Sequence, residues 1–332
     1  MSRVPVIHIG MPKTATTTLQ WRLFANHSEV FYLGRFDGPH FDNKYLRLDC
    51  CRDKAVQKLM QQIAYDNVFY ADLPACREQL RQILEPAGEE NLLPVWSWES
   101  YSTDILSKRR FRAKNLKEVF AEAKIIMTIR KPMALLESAY FEQLKRDNVY
   151  RASKFSDRPY YRSIDDWLRE NYEGEIFPHL QYAETIQAYV DLFGKDNVHV
   201  LLFEELIADP ERYFKKICRI MSVDEEEGLR LLQGSKDNSR WTTHQIETLK
   251  KFRSSTAQSL IFKCAGRGMR NRLLGLSEKG IPVVGEKVAK APIPKEWREK
   301  IRAVVHPGDL WLEELFELPL KEYGYYNSGG GE

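Results

Sequence analysis

The sequence predicts an α/β protein in three layers, with a central, mainly parallel sheet between helices and a helical extension at the C-terminus. Short apolar segments rich in β-branched residues alternate with longer segments of helical periodicity. Parallel strands need a crossover between them, and that crossover is usually a helix, so this alternation is typical of βαβ units. The 332 residues, 43% of them hydrophobic, are enough to bury a full core.

Four strands are predicted from short apolar runs. They cover Val6 to Ile9, Leu92 to Trp98, Lys124 to Ile129 and Val198 to Phe203. Helices are predicted between the strands, where apolar residues recur at helical spacing. They cover Thr17 to Asn26, Ala113 to Ala121, Met133 to Arg146, Ile164 to Glu170 and Tyr182 to Phe193. Gly194 then supplies the stop signal before the last strand.

The chain is expected to form a single domain over residues 1–327, because no segment rich in Pro, Gly or Ser divides it. Residues 240–327 are predicted to be a mostly helical extension, with loops around Gly266 to Gly268 and Gly280 to Ala291. Residues 328–332, Ser-Gly-Gly-Gly-Glu, have the composition of a disordered tail.

Composition excludes several classes of protein. A net charge of +3 gives no support to bulk electrostatic binding of nucleic acid. Apolar runs are far shorter than the ~18 residues of a membrane span, and the segment before the first strand is too short for a signal peptide. Five cysteines without CxxC spacing argue against a disulfide framework and a cysteine zinc site. We therefore expect a cytoplasmic protein with no nucleic-acid partner, membrane span or metal site.

The segment after the first strand has the composition of a phosphate-binding loop. Gly10 is followed by Pro12, Lys13 and a run rich in threonine: Thr14, Ala15, Thr16, Thr17 and Thr18. A loop between a buried strand and a helix directs backbone N–H groups at an anion, and the ammonium and hydroxyl groups add donors. The GxxxxGK[ST] pattern of nucleotide-hydrolysing loops is not matched, because Thr16 occupies its lysine position.

A second segment offers another phosphate site. Arg130 directly follows the predicted strand Lys124 to Ile129, and Ser138 comes eight residues later in the next helix. A guanidinium can hold a phosphate through two parallel hydrogen bonds, and a serine hydroxyl can add a third. The alternative is that Arg130 forms only a local ion pair and Ser138 is an ordinary helix residue.

These two segments together resemble the 5′-phosphosulfate loop and the 3′-phosphate motif of sulfotransferases that use 3′-phosphoadenosine 5′-phosphosulfate (PAPS). Residues Pro12 to Thr17 match the family pattern PKTGTT except at Ala15, where the family has glycine. A third stretch, Asn197 to Leu206, resembles the strand that ends in YEDL, with Phe203 in place of the tyrosine near the adenine. The resemblance covers about residues 5–220 and is greatest to the bacterial and carbohydrate-type branches.

The resemblance implies a P-loop-like fold and in-line transfer of a sulfuryl group from PAPS to a hydroxyl or amine, without a metal, leaving 3′-phosphoadenosine 5′-phosphate (PAP). Lys13 would be the electrostatic catalyst, and Pro12 to Thr18 would surround the phosphosulfate. Arg130 and Ser138 would hold the 3′-phosphate, and Phe203 would lie near the adenine. Candidates for a second contact with the 3′-phosphate are Arg267, Arg270 and Arg272.

Glu99 is the favoured catalytic base. It directly follows the predicted strand Leu92 to Trp98, and ligands bind beyond the carboxyl ends of strands in open α/β sheets. Relatives carry a glutamate or histidine base at this strand end, and Trp96 and Trp98 are expected to dry the surrounding pocket. His40, in the segment Gly38 to Phe41, is the alternative base.

The acceptor is expected to be a small molecule or a carbohydrate, bound by loops around residues 31–50 and 145–165. Aromatic and basic residues suited to stacking on it are Tyr150, Tyr160, Tyr161 and Arg162. The basic run Lys108 to Lys114 is interpreted as a solvated helix face rather than a nucleic-acid site. Two other functions stay open at this point: a P-loop kinase for a small molecule, and a nucleotide-binding module without activity.

Overall fold

The computed structural model describes residues 3–34, 54–64, 72–150, 161–174, 176–233, 240–254, 260–262, 264–278, 280–285 and 287–326. Five strands lie at its centre: β1 (Val6–His8), β2 (Val30–Gly34), β3 (Leu93–Ser97), β4 (Lys124–Ile129) and β5 (Val198–Leu202). They form one sheet in the order β2-β3-β1-β4-β5, and every neighbouring pair is parallel. The predicted α/β, P-loop-like class with a parallel sheet is confirmed.

The edge strand β2 was not predicted. Residues 31–34, expected to begin a substrate loop, instead pair with β3, with Tyr32 opposite Val95. The expectation of a loop at these four residues is therefore wrong. The rest of that expected loop, residues 35–50, lies outside the described residues.

Thirteen α-helices are assigned within the described residues. They are α1 (Thr16–Thr18), which continues as a π-helix over Leu19–Phe24, α2 (Lys54–Ala64), α3 (Leu73–Glu89), α4 (Leu106–Phe120), α5 (Pro132–Lys145), α6 (Ile164–Asn171), α7 (Tyr182–Phe193), α8 (Phe203–Ala208), α9 (Pro210–Met221), α10 (Glu225–Leu232), α11 (Thr243–Ser254), α12 (Arg267–Leu273) and α13 (Lys295–Phe316).

Both faces of the sheet are buried, which gives the three layers. Successive side chains of a strand point to opposite faces, so neighbouring residues of one strand join different cores. Three central residues pack into the core on one face: Ile7, Trp96 and Ile125. Their chain neighbours pack into the core on the other face: Val6, Val95 and Ile126. This explains why the strands are short continuous apolar runs rather than alternating ones.

The C-terminal region is mostly helical, as predicted. Helix α12 begins at Arg267, so the loop expected to extend to Gly268 is wrong at that end. Helix α13 approaches α7 closely, since a Cβ atom on Gly308 would lie 2.9 Å from the Cβ atom of Ala183. Within the described ranges no helix is long and apolar enough to cross a membrane. The predicted tail, residues 328–332, lies outside them.

The basic run in α4 is not simply a solvated face. Arg109 is only 1% exposed and donates to the Pro178 carbonyl oxygen at 3.0 Å and to the Thr185 hydroxyl. Arg112 donates to the carbonyl oxygens of Ser100 at 2.7 Å and Thr103 at 3.1 Å. These guanidinium groups hold α4 against neighbouring segments, because a buried cation must satisfy its donors within the protein.

Candidate active site

The parallel sheet brings four segments of the sequence to one edge. The loop after β1, the turn after β3, Arg130 after β4 and Phe203 after β5 all follow the carboxyl ends of strands. In a parallel sheet these ends share one edge, where ligands of open α/β folds bind. Lys13, Glu99, Arg130 and Phe203 therefore all lie at one edge of the sheet.

The loop between β1 and α1 has an unusual backbone. Lys13 has φ 71° and Ala15 has φ 63°, both in the left-handed region, whereas Thr14 between them does not. Alternation of this kind turns successive N–H groups toward a common point, which makes a concave anion site. Hydrogen bonds fix the loop from inside, from the Thr14 hydroxyl to the Met11 carbonyl oxygen at 2.6 Å and from the Ser102 hydroxyl to the Gly10 carbonyl oxygen at 3.1 Å.

Gly10 permits the close packing beneath this loop. A Cβ atom at Gly10 would lie 2.6 Å from both His8 Nε2 and Thr16 Cγ2, so a larger residue would displace one of them. The His8 ring is fully buried, with Nδ1 2.8 Å from the Ser97 hydroxyl. Burial lowers the pKa of His8 to about 3. The imidazole is therefore neutral at physiological pH, and it supports the loop without adding a charge.

Ala15→Gly should stabilise the protein by up to about 1.6 kcal/mol. An alanine in the left-handed region is strained by about 1–2 kcal/mol, and glycine relieves that strain. The greater freedom of glycine in the unfolded chain opposes this stabilisation by about 0.4–1 kcal/mol. The measurement is urea unfolding. Ala134→Gly, within α5, is the control and should destabilise the protein by about 1 kcal/mol. Equal losses in the two variants would show that Ala15 is not strained.

The ammonium group of Lys13 already has an anionic partner. Its Nζ atom lies 3.3 Å from Oε2 of Glu142 in α5, and the two side chains are 27% and 35% exposed. Burial acts to raise the pKa of Glu142, but the charges of Lys13, Lys145 and Arg146 outweigh it and hold that pKa below its usual value. Glu142 is therefore ionised at neutral pH. Sequence reasoning missed this residue, although it lies one helical turn after Ser138.

Glu99 lies against the loop. It begins a short 3₁₀ turn, Glu99–Tyr101, directly after β3, and its Oε1 atom accepts a hydrogen bond from the Thr16 hydroxyl. Trp96, one of the two tryptophans expected to dry the pocket, is fully buried and donates to the Tyr101 hydroxyl at 3.0 Å. Trp98 is half-buried and packs edge-to-face on Tyr101. The alternative base, His40, lies outside the described residues.

Arg130 is a buried cation with donor capacity directed at the same edge. It is 5% exposed, and its Nη1 atom donates to the Lys13 carbonyl oxygen at 3.0 Å. Its Cζ atom lies 4.4 Å from the centroid of the Phe203 ring, a cation–π contact. Its Nε atom has no partner among the described residues. The Nε atoms of Arg109 and Arg162 are likewise unpartnered there, so it is the position of Arg130 against the loop that suits it to an anionic ligand.

A second cation acts on Arg130. Burial lowers the pKa of Arg130, and the charge of Arg240 lowers it further. Arg240 was not identified from the sequence. Of the three arginines that were, Arg270 is buried and its Nε atom donates to the Phe262 carbonyl oxygen at 2.9 Å, while Arg267 and Arg272 are exposed in α12. Ser138 is half-buried in α5, and Thr17 and Thr18 are half-buried in α1.

Two of the four residues expected to contact the acceptor, Tyr161 and Arg162, have side chains that the structure describes. Arg162 is 6% exposed, pairs with Asp147 at 2.9 Å and also contacts Glu170. Its charge is thus used within the protein, and its expected contact with an acceptor is wrong. The ring of Tyr161 has the Lys250 ammonium 5.7 Å from its centroid. The side chains of Tyr150 and Tyr160 lie outside the described part of the chain.

Comparison with known proteins identifies the family of this chain. The chain is similar in structure to a sulfotransferase from Alicyclobacillus acidocaldarius, with a TM-score of 0.53 and 16% identity over 97% of this chain and 99% of that one. It also aligns with mouse sulfotransferase SULT7A1 complexed with PAP, with a TM-score of 0.40 and 12% identity over 96% of this chain and 85% of that one. A search of curated proteins finds no match. The model of the sulfotransferase family matches residues 5–227, more than half of the chain, and the chain therefore belongs to the sulfotransferase family.

Proposed function

We propose that the protein uses PAPS as its donor and sulfates a hydroxyl or amine of a small-molecule or glycan acceptor. The observation that carries this proposal is that two cationic residues, Lys13 and Arg130, meet at one loop. The Arg130 guanidinium donates to the carbonyl oxygen of Lys13 at 3.0 Å. A donor with two separate anionic groups fits such a pair. PAPS has a 3′-phosphate and a 5′-phosphosulfate, and it supplies the sulfuryl group when bound.

The 5′ side of the proposed site consists of the loop Pro12 to Thr18. The left-handed conformations of Lys13 and Ala15 would turn backbone N–H groups toward the anion. The Thr14 and Thr16 hydroxyls donate within the protein, to the Met11 carbonyl oxygen and to Glu99, so they would fix the shape of the loop around it. The Lys13 ammonium would neutralise the charge that develops on the leaving oxygen. Because such transfer depends on positioning and electrostatics, a cation that reaches the leaving oxygen would supply a large share of the rate.

The 3′ side of the proposed site is built around Arg130. Its buried guanidinium and the Ser138 hydroxyl would bind the 3′-phosphate, with the charge of Arg240 adding attraction. Phe203 keeps the guanidinium plane in place through their 4.4 Å contact and is proposed to lie near the adenine.

Glu99 is the proposed base. Its carboxylate lies at the loop, held by the Thr16 hydroxyl, and can take the proton of an acceptor that approaches Lys13. His40 stays the alternative base. Residues 1–327 are proposed to form one domain, because the sheet and the C-terminal helices share the larger of the two cores. The cysteine pattern supports a cytoplasmic location.

Thermal unfolding with two ligands tests the donor. PAP at one hundred times its dissociation constant adds about 2.7 kcal/mol of stability, which should raise the Tm by several degrees. ATP with Mg²⁺ should raise it far less. A shift with ATP and none with PAP would favour the kinase alternative, and no shift with either would contradict a nucleotide site at this loop. Binding of PAP without transfer of ³⁵S from labelled PAPS to a broad acceptor panel would favour the inactive binding module.

A further inference from the structure

We propose that Glu142 is the internal counter-ion of Lys13 and competes with the 5′ anionic group of the donor for the Lys13 ammonium. This proposal rests on the proposed function of the loop. It makes Glu142 a positioning residue, since it acts on the donor through Lys13. Binding of the donor then exchanges one anionic partner of Lys13 for another.

The geometry holds the backbone of Lys13 in place but leaves its ammonium group able to change its anionic partner. Its backbone is held at φ 71°, and its carbonyl oxygen is fixed by the Arg130 guanidinium at 3.0 Å. Its ammonium group, in contrast, is bound at 3.3 Å by a carboxylate from a different element, α5. A lysine side chain has four rotatable bonds, so it can change partner without disturbing the loop.

The position of Glu142 in α5 places it beside the proposed donor site. Ser138 and Glu142 are four residues apart, so they lie on the same face of the helix. Ser138 is the proposed ligand of the 3′-phosphate, and Glu142 reaches the lysine proposed to serve the 5′ group. The same face of α5 therefore carries Ser138, which is proposed to bind the donor, and Glu142, which competes with the donor for the Lys13 ammonium.

The charges around Glu142 allow the exchange. Removing one member of a buried ion pair is normally unfavourable because the other charge is left unpaired. Here Lys145 and Arg146 also act on the Glu142 carboxylate and favour its ionised form. The carboxylate therefore keeps cationic neighbours when Lys13 turns to the donor. When the donor binds, the wild-type site loses only the partly exposed ion pair between Lys13 and Glu142. Breaking that pair lowers donor affinity modestly relative to a site without Glu142.

Glu142→Gln tests this competition by calorimetric titration of two nucleotides. PAP carries the 5′-phosphate and adenosine 3′-monophosphate lacks it. Glu142→Gln should bind PAP about five-fold more tightly than wild type, the upper end for a partly exposed pair, and should bind adenosine 3′-monophosphate unchanged. In a Lys13→Met background the same substitution should have no effect on PAP, because the competed cation is gone. A general change in the fold would alter both nucleotides alike.

Glu137→Gln is the matched control on the same helix. Its carboxylate accepts from the Ala291 backbone N–H at 2.8 Å, a bond that glutamine preserves, and its charge acts on Arg130 rather than on Lys13. It should change the affinities for the two nucleotides by the same factor. Unchanged or weaker PAP binding in Glu142→Gln, or an effect that persists without Lys13, would overturn the proposal for Glu142. Absence of PAP binding by the wild type would instead overturn the proposed function.

Discussion

Lys13→Met should lower the turnover of sulfuryl transfer by about a hundred- to a thousand-fold, the usual loss when one group that stabilises transition-state charge is removed. Methionine keeps the length and apolar stem of the side chain but has no positive charge. The ammonium would be needed most when charge develops on the leaving oxygen, so turnover should fall more than PAP affinity does. The measurement is the initial rate of ³⁵S transfer from PAPS at saturating donor.

Lys215→Met is the control for that comparison. Lys215 pairs with Glu211 along one face of α9, a surface ion pair that has no contact with the loop in the described structure. Its loss should leave the rate within about two-fold of wild type, since such pairs contribute little. If Lys13→Met kept more than a tenth of the wild-type rate, Lys13 would not be the electrostatic catalyst.

Arg130→Lys should weaken PAP binding by about ten- to a hundred-fold. Lysine keeps the charge but replaces the planar fork of donors with a single ammonium, and a hydrogen bond to a charged group contributes about 1.5–3 kcal/mol. The substitution also removes the bond to the Lys13 carbonyl oxygen and the contact with Phe203. Adenosine 5′-monophosphate lacks the 3′-phosphate, so its binding should change much less.

The ratio of the two dissociation constants measures this effect. In Arg130→Lys the preference for PAP over adenosine 5′-monophosphate should fall toward one. Arg219→Lys, which alters an exposed pair with Glu225, should keep the wild-type ratio. An unchanged ratio in Arg130→Lys would remove Arg130 from the 3′-phosphate site.

Much of the fold follows from local patterns in the sequence. Four strands were predicted because buried parallel strands are continuous apolar runs, and their ends placed Lys13, Glu99 and Arg130 at one edge of the sheet. The strand β2 was missed although Val30 to Leu33 is a β-type run as long as Val6 to Ile9, and its pairing with β3 at the edge of the sheet is what identifies it as a strand. Ala15 stands where the family pattern has glycine, and its φ of 63° lies in the left-handed region that glycine favours.

The missing parts of the site depend on contacts between distant residues. Lys13 and Glu142 are 129 positions apart, so only the folded chain shows their ion pair. Arg240, whose charge acts on Arg130, likewise comes from a distant segment of the sequence. Arg162 has the composition expected of an acceptor contact, yet the fold places Asp147 and Glu170 against it. Residue type alone does not distinguish a ligand-binding arginine from one that is already paired.

Calorimetric titration of the wild-type protein with PAP and with adenosine 5′-monophosphate tests the central claim most directly. The two nucleotides differ only in the 3′-phosphate. PAPS carries this group and ATP does not, so only a PAPS-dependent enzyme needs a site for it. The account predicts one PAP site per chain, with PAP bound about a hundred-fold more tightly than adenosine 5′-monophosphate, as expected for a phosphate held by a buried guanidinium. Equal affinities for the two nucleotides, or no binding of PAP, would contradict it.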